Sequence, residues 1–181
     1  MDAITCIKER HSVRKYQDKK IPHELLEEII EAARFAPSWK NTQITRYIIT
    51  EDKEKMNKLA DNCVMDFTYN VDTLRNAQML VVVTKIMGRS GLERDGSATT
   101  PKGEDWSTFD TGIAAQTFCL AAHAKGLGTS IMGIFDENKV AEVIDIPEGQ
   151  QVAVLIAIGY PDEEPVAPKR KEVEKLVTYA D

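Results

Sequence analysis

The segment ERHSVRKY, residues 9–16, places Arg10, His11, Arg14 and Lys15 within six positions of a 181-residue chain whose formal net charge is −6. Cationic groups this close repel one another unless solvent screens them or an anion neutralises them. If the segment is extended, Arg10, Ser12 and Arg14 project to one face and His11, Val13 and Lys15 to the other. At about 3.3 Å per residue, Arg10 to Arg14 covers roughly 13 Å, enough to hold a phosphate at one end and a different polar group at the other. On charge alone, a solvated basic turn after a short helix is the simpler reading.

Three further segments carry groups with chemical potential. In APSWKNTQ, residues 36–43, Pro37 stops a helix while Ser38, Asn41 and Gln43 offer neutral donors and acceptors beside Trp39; alone, this is a capped turn. GLGTSIMG, residues 126–133, reads as a helix stop followed by a short strand, and Gly133 would allow close backbone approach to a ligand, although turn glycines are more frequent. PKRK, residues 168–171, is a second cationic patch, for which a solvated tail is the ordinary explanation.

Many other chemistries lack their signatures. No GxGxxG follows a strand, no GxxxxGK[ST] or GxSxG occurs, and the three histidines show no HExxH spacing. Cys6, Cys63 and Cys119 are odd in number and form no CxxC pair, so neither a disulfide framework nor a metal site is expected. A pI near 5.2 argues against nucleic acid or an anionic membrane as partner. The opening MDAITCIKER has no signal-peptide layout and no run approaches the roughly 18 apolar residues of a membrane span, so a cytoplasmic protein is expected.

The elements that must position these groups follow from periodicity. Length and 43% hydrophobic content fit one domain over residues 1–181. Residues 3–9 form one or two helical turns. Leu25, Leu26, Ile29, Ile30, Ala33 and Phe35 mark the apolar stripe of a helix begun near Pro22 and stopped by Pro37. Residues 44–50 read as a strand, 51–67 as helix, and 78–86 as a buried strand. The polar stretch 87–105 is a long loop, equally a lid or a disordered segment. A long Ala-rich helix then runs to Gly126 or Gly128, followed by a strand at 129–133, a helix capped by Asp136, and a buried strand at 150–160. Pro161, Pro165 and Pro168 make the tail, 161–181, begin extended. The order indicates α/β or α+β architecture with helices predominating.

Together and in this order, RHSVRKY, APSWKNTQ, DTGIAAQTFCLAAHAKGLGTSIMG and IAIGYPDEEPVAPKRK resemble the nitroreductase family of FMN-dependent oxidoreductases, over about residues 4–175. The resemblance implies a central, mostly antiparallel sheet flanked by helices and a homodimer with FMN at the interface. It implies that Arg10, His11, Ser12 and Arg14 line FMN, with Arg10 near the phosphate and Arg14 near the ribityl chain or pyrimidine edge. Lys169 and Arg170 would complete the phosphate site, Gly133 would bring backbone to the flavin N5 region, and Pro37, Ser38 and Asn41 would reach the flavin held by the partner. The tail would wrap that partner. NTQITRY departs from the family's NxQPW, and His11 replaces its commoner second arginine.

The activity so implied is hydride transfer from NADH or NADPH to the flavin and then to a nitroaromatic, quinone or similar acceptor, in a ping-pong cycle. Such chemistry needs no protein acid, nucleophile or base, which accounts for the missing triad; Arg14 would act as electrostatic stabiliser. Reductive dehalogenation and flavin reduction are alternatives on the same scaffold. A non-catalytic flavin-binding module is another. Trp39 and Trp106 read either as pocket aromatics or as packing.

Overall fold

The computed structural model describes residues 1–180, which form six α-helices and four β-strands. The strands are β1 (Thr45–Thr50), β2 (Met79–Ile86), β3 (Gly128–Met132) and β4 (Gln150–Gly159), joined in the order β1-β2-β4-β3 with every neighbouring pair antiparallel. The helices are α1 (Ala3–Glu9), α2 (His23–Ala33), α3 (Lys53–Asn62), α4 (Thr68–Asn76), α5 (Asp105–Ala124) and α6 (Glu137–Val143). This is the α+β arrangement that the sequence predicts.

The two central strands explain themselves chemically. Residues alternate across a strand, so Leu80, Val82, Leu155 and Ala157 join Met56 and Leu59 of α3, Leu74 of α4 and Val140 of α6 on one face. Met79, Val81, Val83, Ile156 and Ile158 join Leu26 and Ile29 of α2 and Phe118 of α5 on the other. With both faces covered, a continuous β-branched run is what burial demands. Phe118 is fully buried and its ring stacks on Tyr47 at 5.4 Å between centroids; a side chain removed from water this completely contributes about 1.5–3 kcal/mol.

Helix ends follow local chemistry. Asp2, Asp52 and Asp136 each accept from two backbone amides at the start of α1, α3 and α6. At the end of α5 the terminator is Gly126, whose φ of +80° carries the chain into the left-handed turn from which the Leu127 amide donates back to the Ala122 carbonyl.

Three expectations need correction. The stripe of α2 excludes Phe35, which is 73% exposed because the helix ends at Ala33. The helix expected over 51–67 stops at Asn62, since Met65 and Asp66 adopt left-handed φ of 52° and 55° that no right-handed helix admits. A separate helix, α4, follows them. Finally, residues 87–105 are a packed loop closed by a Leu92–Ala98 bridge, with Ser90 wholly buried. Its Gly91 lies so near the Gly103 carbonyl that an added Cβ would fall 1.9 Å from that oxygen. The tail runs without helix or strand from 162 to 172 and then makes one 3-10 turn, Val173–Lys175.

Candidate functional site

The basic segment leaves α1 and crosses the end of the sheet. Arg10 closes α1 in extended backbone, φ −62° and ψ 119°. Ser12 then bridges Thr129 of β3 in parallel, and the Val13 amide donates to the Thr129 carbonyl at 3.0 Å. Val13 and Tyr16 turn inward and are buried, the Tyr16 hydroxyl donating to the Val13 carbonyl. Because these two anchor the stretch, Arg14 between them must face outward.

The other end of the chain returns to the same place. The Gln17 amide donates to the Tyr160 carbonyl and the Asp162 amide to the Lys15 carbonyl, both at 2.9 Å. Glu163 Oε1 accepts from the Arg14 amide at 2.6 Å and the Lys15 amide at 3.2 Å. A cavity of about 390 Å³ results, lined by Arg10, His11, Ser12 and Arg14 from the N-terminal segment and by Glu163, Pro165, Val166, Pro168 and Arg170 from the tail. Simple alternation would put His11 on the opposite side from Arg10, but His11 lines the same cavity. Lys169 is not in the lining; in extended tail, neighbours of Arg170 point elsewhere.

Charge is the dominant property of this cavity. Among the described residues, no carboxylate lies within ion-pairing distance of the side chains of Arg10, Arg14, Lys15 or Arg170. The one carboxylate in the lining, Glu163, has an oxygen engaged by two backbone amides. On α5 behind Arg10, burial pushes the His123 imidazole below its ordinary range, with Arg10 and His11 acting in the same direction and Glu9 against it. These donors suit an anion with several acceptor oxygens, such as a phosphate monoester.

Arg14 also lines a second cavity, of about 470 Å³, with Phe67, Tyr69, Asn70 and the run Ser130–Gly133 followed by Ile134. Gly133 is exposed at its edge and an added Cβ there would meet nothing within 4 Å, so its backbone lies open to a ligand. Asn70 donates from Nδ2 to the Ile134 carbonyl at 3.1 Å, joining α4 to that run. The sequence gives no local signal for α4, and hence none for Phe67 and Tyr69 in this lining.

Pro37 and Ser38 lie elsewhere. They line a small cavity of about 110 Å³ with Arg34, Arg46, Tyr47 and Asp110, separate from the cationic one. Asn41 lines none of these three cavities. The loop bearing these residues is unusual: Lys40, Asn41 and Gln43 all have positive φ, between 43° and 55°, and the Gln43 amide donates to Ser38 Oγ at 2.9 Å. Trp39 and Trp106 pack on each other, centroids 4.9 Å apart, and line none of the three cavities.

The nitroreductase family model matches residues 7–160. The chain belongs to the nitroreductase family. A putative NADH dehydrogenase/NAD(P)H nitroreductase from Methanothermobacter thermautotrophicus is 31% identical over 169 residues, covering 91% of this chain and 80% of the relative. Among solved structures, an FMN-dependent nitroreductase from Clostridium difficile R20291 is 28% identical, with a TM-score of 0.77 over 98% of this chain and 99% of its own. A nitroreductase family protein from Clostridium novyi NT, also 28% identical, has a TM-score of 0.77 over 90% and 87% of the two chains. The family resemblance inferred from four short motifs thus extends to the whole fold, and the chain is an oxidoreductase of this family. No helix among the described residues is long and apolar enough to cross a membrane.

Proposed function

We propose that this nitroreductase-family chain is an FMN-dependent oxidoreductase that draws electrons from NADH or NADPH and reduces a nitroaromatic, quinone or similar acceptor. The observation that carries this reading is the convergence of Arg10, Ser12, Arg14 and Arg170, from opposite ends of the chain, on one cation-lined cavity that adjoins a second through Arg14. Bound FMN would supply hydride acceptance and onward electron transfer, alternating donor and acceptor at one site.

The residues fit such a guest. Arg10 and Arg170, with Ser12, supply donors for its phosphate, and among the described residues no carboxylate pairs with either arginine. Arg14, shared by both cavities, would meet the polar edge of the ring system, where a fixed cation favours the electron-rich form. Gly133 leaves room for the ring to lie against backbone. Lys169 would contribute long-range charge only.

The reading includes a homodimer in which each site draws on both subunits. Pro37, Ser38 and Asn41 stand outside the cationic cavity of their own subunit, as residues serving a neighbour's cofactor would. Exposed Ile4, Ile7, Phe109, Val166, Val173, Leu176 and Tyr179 supply apolar surface for such contact, the tail among them. On this reading residues 1–181 form one FMN-binding unit, working in the cytoplasm.

Visible absorption of the purified protein after incubation with FMN and gel filtration, followed by anaerobic titration with each nicotinamide, is the test. Retained flavin bleached by NADH or NADPH and reoxidised by added acceptor supports the proposal. Protein that emerges colourless refutes it, and flavin that stays oxidised with both donors reduces it to a binding module.

A further inference from the structure

Asp110, on α5, is 3% exposed, and among the described residues no cation pairs with it. Its two oxygens accept from the Trp39 amide, at 3.0 Å each, and Oδ2 accepts from Ser90 Oγ at 2.6 Å. A carboxylate buried without a counter-charge is costly unless hydrogen bonds replace its water. Here both donors belong to loops, so the carboxylate fastens loop 36–43 and loop 87–105 to α5 at a single point. The Lys40–Glu93 ion pair at 2.9 Å joins the same two loops at their surface, and the Trp39–Trp106 contact joins loop 36–43 to α5 itself.

Loop 36–43 needs such a fastening. Left-handed backbone at Lys40, Asn41 and Gln43 is unfavourable for residues that carry a side chain, and it persists only where surrounding contacts impose it. Trp39, whose amide Asp110 holds, sits immediately between Ser38 and this strained stretch.

We propose that Asp110 is a positioning residue for the cofactor site of the neighbouring subunit: through the Trp39 amide and Ser90 it holds Pro37, Ser38 and Asn41 in the shape that reaches across the dimer. This rests on the FMN-bound homodimer proposed above. Asp110 touches no part of the site in which its own subunit's Arg10 lies, and its influence crosses the interface.

Asp110→Asn keeps the side chain's shape but removes its charge and exchanges one acceptor oxygen for an NH2 group, so at least one of the three hydrogen bonds it accepts is lost. Ser90→Ala removes a single bond. Each homodimeric variant should bind FMN about three- to ten-fold more weakly, the worth of one such hydrogen bond. The deciding measurement uses heterodimers with Asp110→Asn in one subunit and Arg10→Ala in the other, isolated with two different affinity tags. If Asp110 serves the neighbour, both lesions fall in the same site and the other site is intact, so each heterodimer binds one flavin with parental affinity. If Asp110 acts within its own subunit, or only on folding, each site carries one lesion and neither regains parental affinity; that result overturns the proposal. Ser90→Ala paired with Arg10→Ala gives the same two outcomes should Asp110→Asn prove insoluble. The Arg10→Ala homodimer separates the failures: undiminished FMN binding there counts against the cofactor site itself, whereas weakened binding without heterodimer recovery counts against Asp110 alone.

Discussion

Val13 packs on Gly128 so closely that a Cβ on the glycine would stand 2.7 Å from the valine Cβ. Tyr16 does the same to Gly159, where an added Cβ would lie 2.7 Å from the ring. One glycine begins β3 and the other ends β4, and the two paired positions let the segment 13–16 settle against the sheet. Arg14 is held outward between them. Gly128→Ala should therefore push the segment off the sheet, destabilising the fold by about 1–3 kcal/mol, as over-packing of a tight contact does. FMN affinity should fall with it. Urea midpoints and flavin titration check this, and parental values in both would mean that the contact has no influence on the site.

Arg10 and Arg170 are 160 residues apart in sequence and line one cavity. Arg10→Ala and Arg170→Ala should each weaken FMN binding by about 1.5–3 kcal/mol, the contribution of a charge-assisted hydrogen bond. Riboflavin, which has no phosphate, is the control. Its affinity should be nearly unchanged in both variants, and an equal loss for FMN and riboflavin would remove these residues from the phosphate.

Arg14 lines both cavities, so its replacement should act on the ring rather than on the phosphate alone. Arg14→Ala should lower the two-electron reduction potential of bound FMN by about 30 mV for each 1.4 kcal/mol of differential stabilisation lost. Spectroelectrochemistry of the variant against the parent measures it. A potential equal to the parent's would confine Arg14 to binding.

What the sequence made legible depended on whether a signal was local. Arg10, Ser12 and Arg14 stand out by type and spacing, and the faces of β2 and β4 by their apolar runs. α4 was invisible because TYNVDTLRN contains few strong helix formers and shows no apolar stripe; its buried side chains are Asn70, Thr73 and Leu74. Glu163 was hidden for a different reason: an acidic residue in a Pro-rich tail looks solvated, and its partners, the amides of Arg14 and Lys15, lie about 150 positions earlier. Within DWSTFDTG nothing local distinguishes Asp110 from a helix-surface carboxylate. Only the arrival of two loops from elsewhere makes it a buried anchor.

Buried Tyr16 and half-buried Tyr47 should weaken the fold at alkaline pH. Burial raises Tyr47 from 10.0 to about 12, and burial drives Tyr16 up further. Folded-state values above the unfolded one mean that their contribution to stability is intact below pH 10 and declines as pH rises above it, because the unfolded chain then loses protons that the folded chain retains. Each such group can contribute a slope of up to about 1.4 kcal/mol per pH unit until its folded-state value is reached. Burial likewise raises the Cys63 and Cys119 thiols from 9.0, so unfolding midpoints in urea should begin to fall near pH 9 and fall more steeply above 10, where the tyrosines add to the decline. Tyr47→Phe should flatten part of that fall, and Tyr16→Phe should flatten more while costing about 1 kcal/mol at neutral pH for the hydrogen bond to the Val13 carbonyl. If the alkaline decline is as steep in the Tyr16→Phe, Tyr47→Phe double variant as in the parent, groups other than these tyrosines control it.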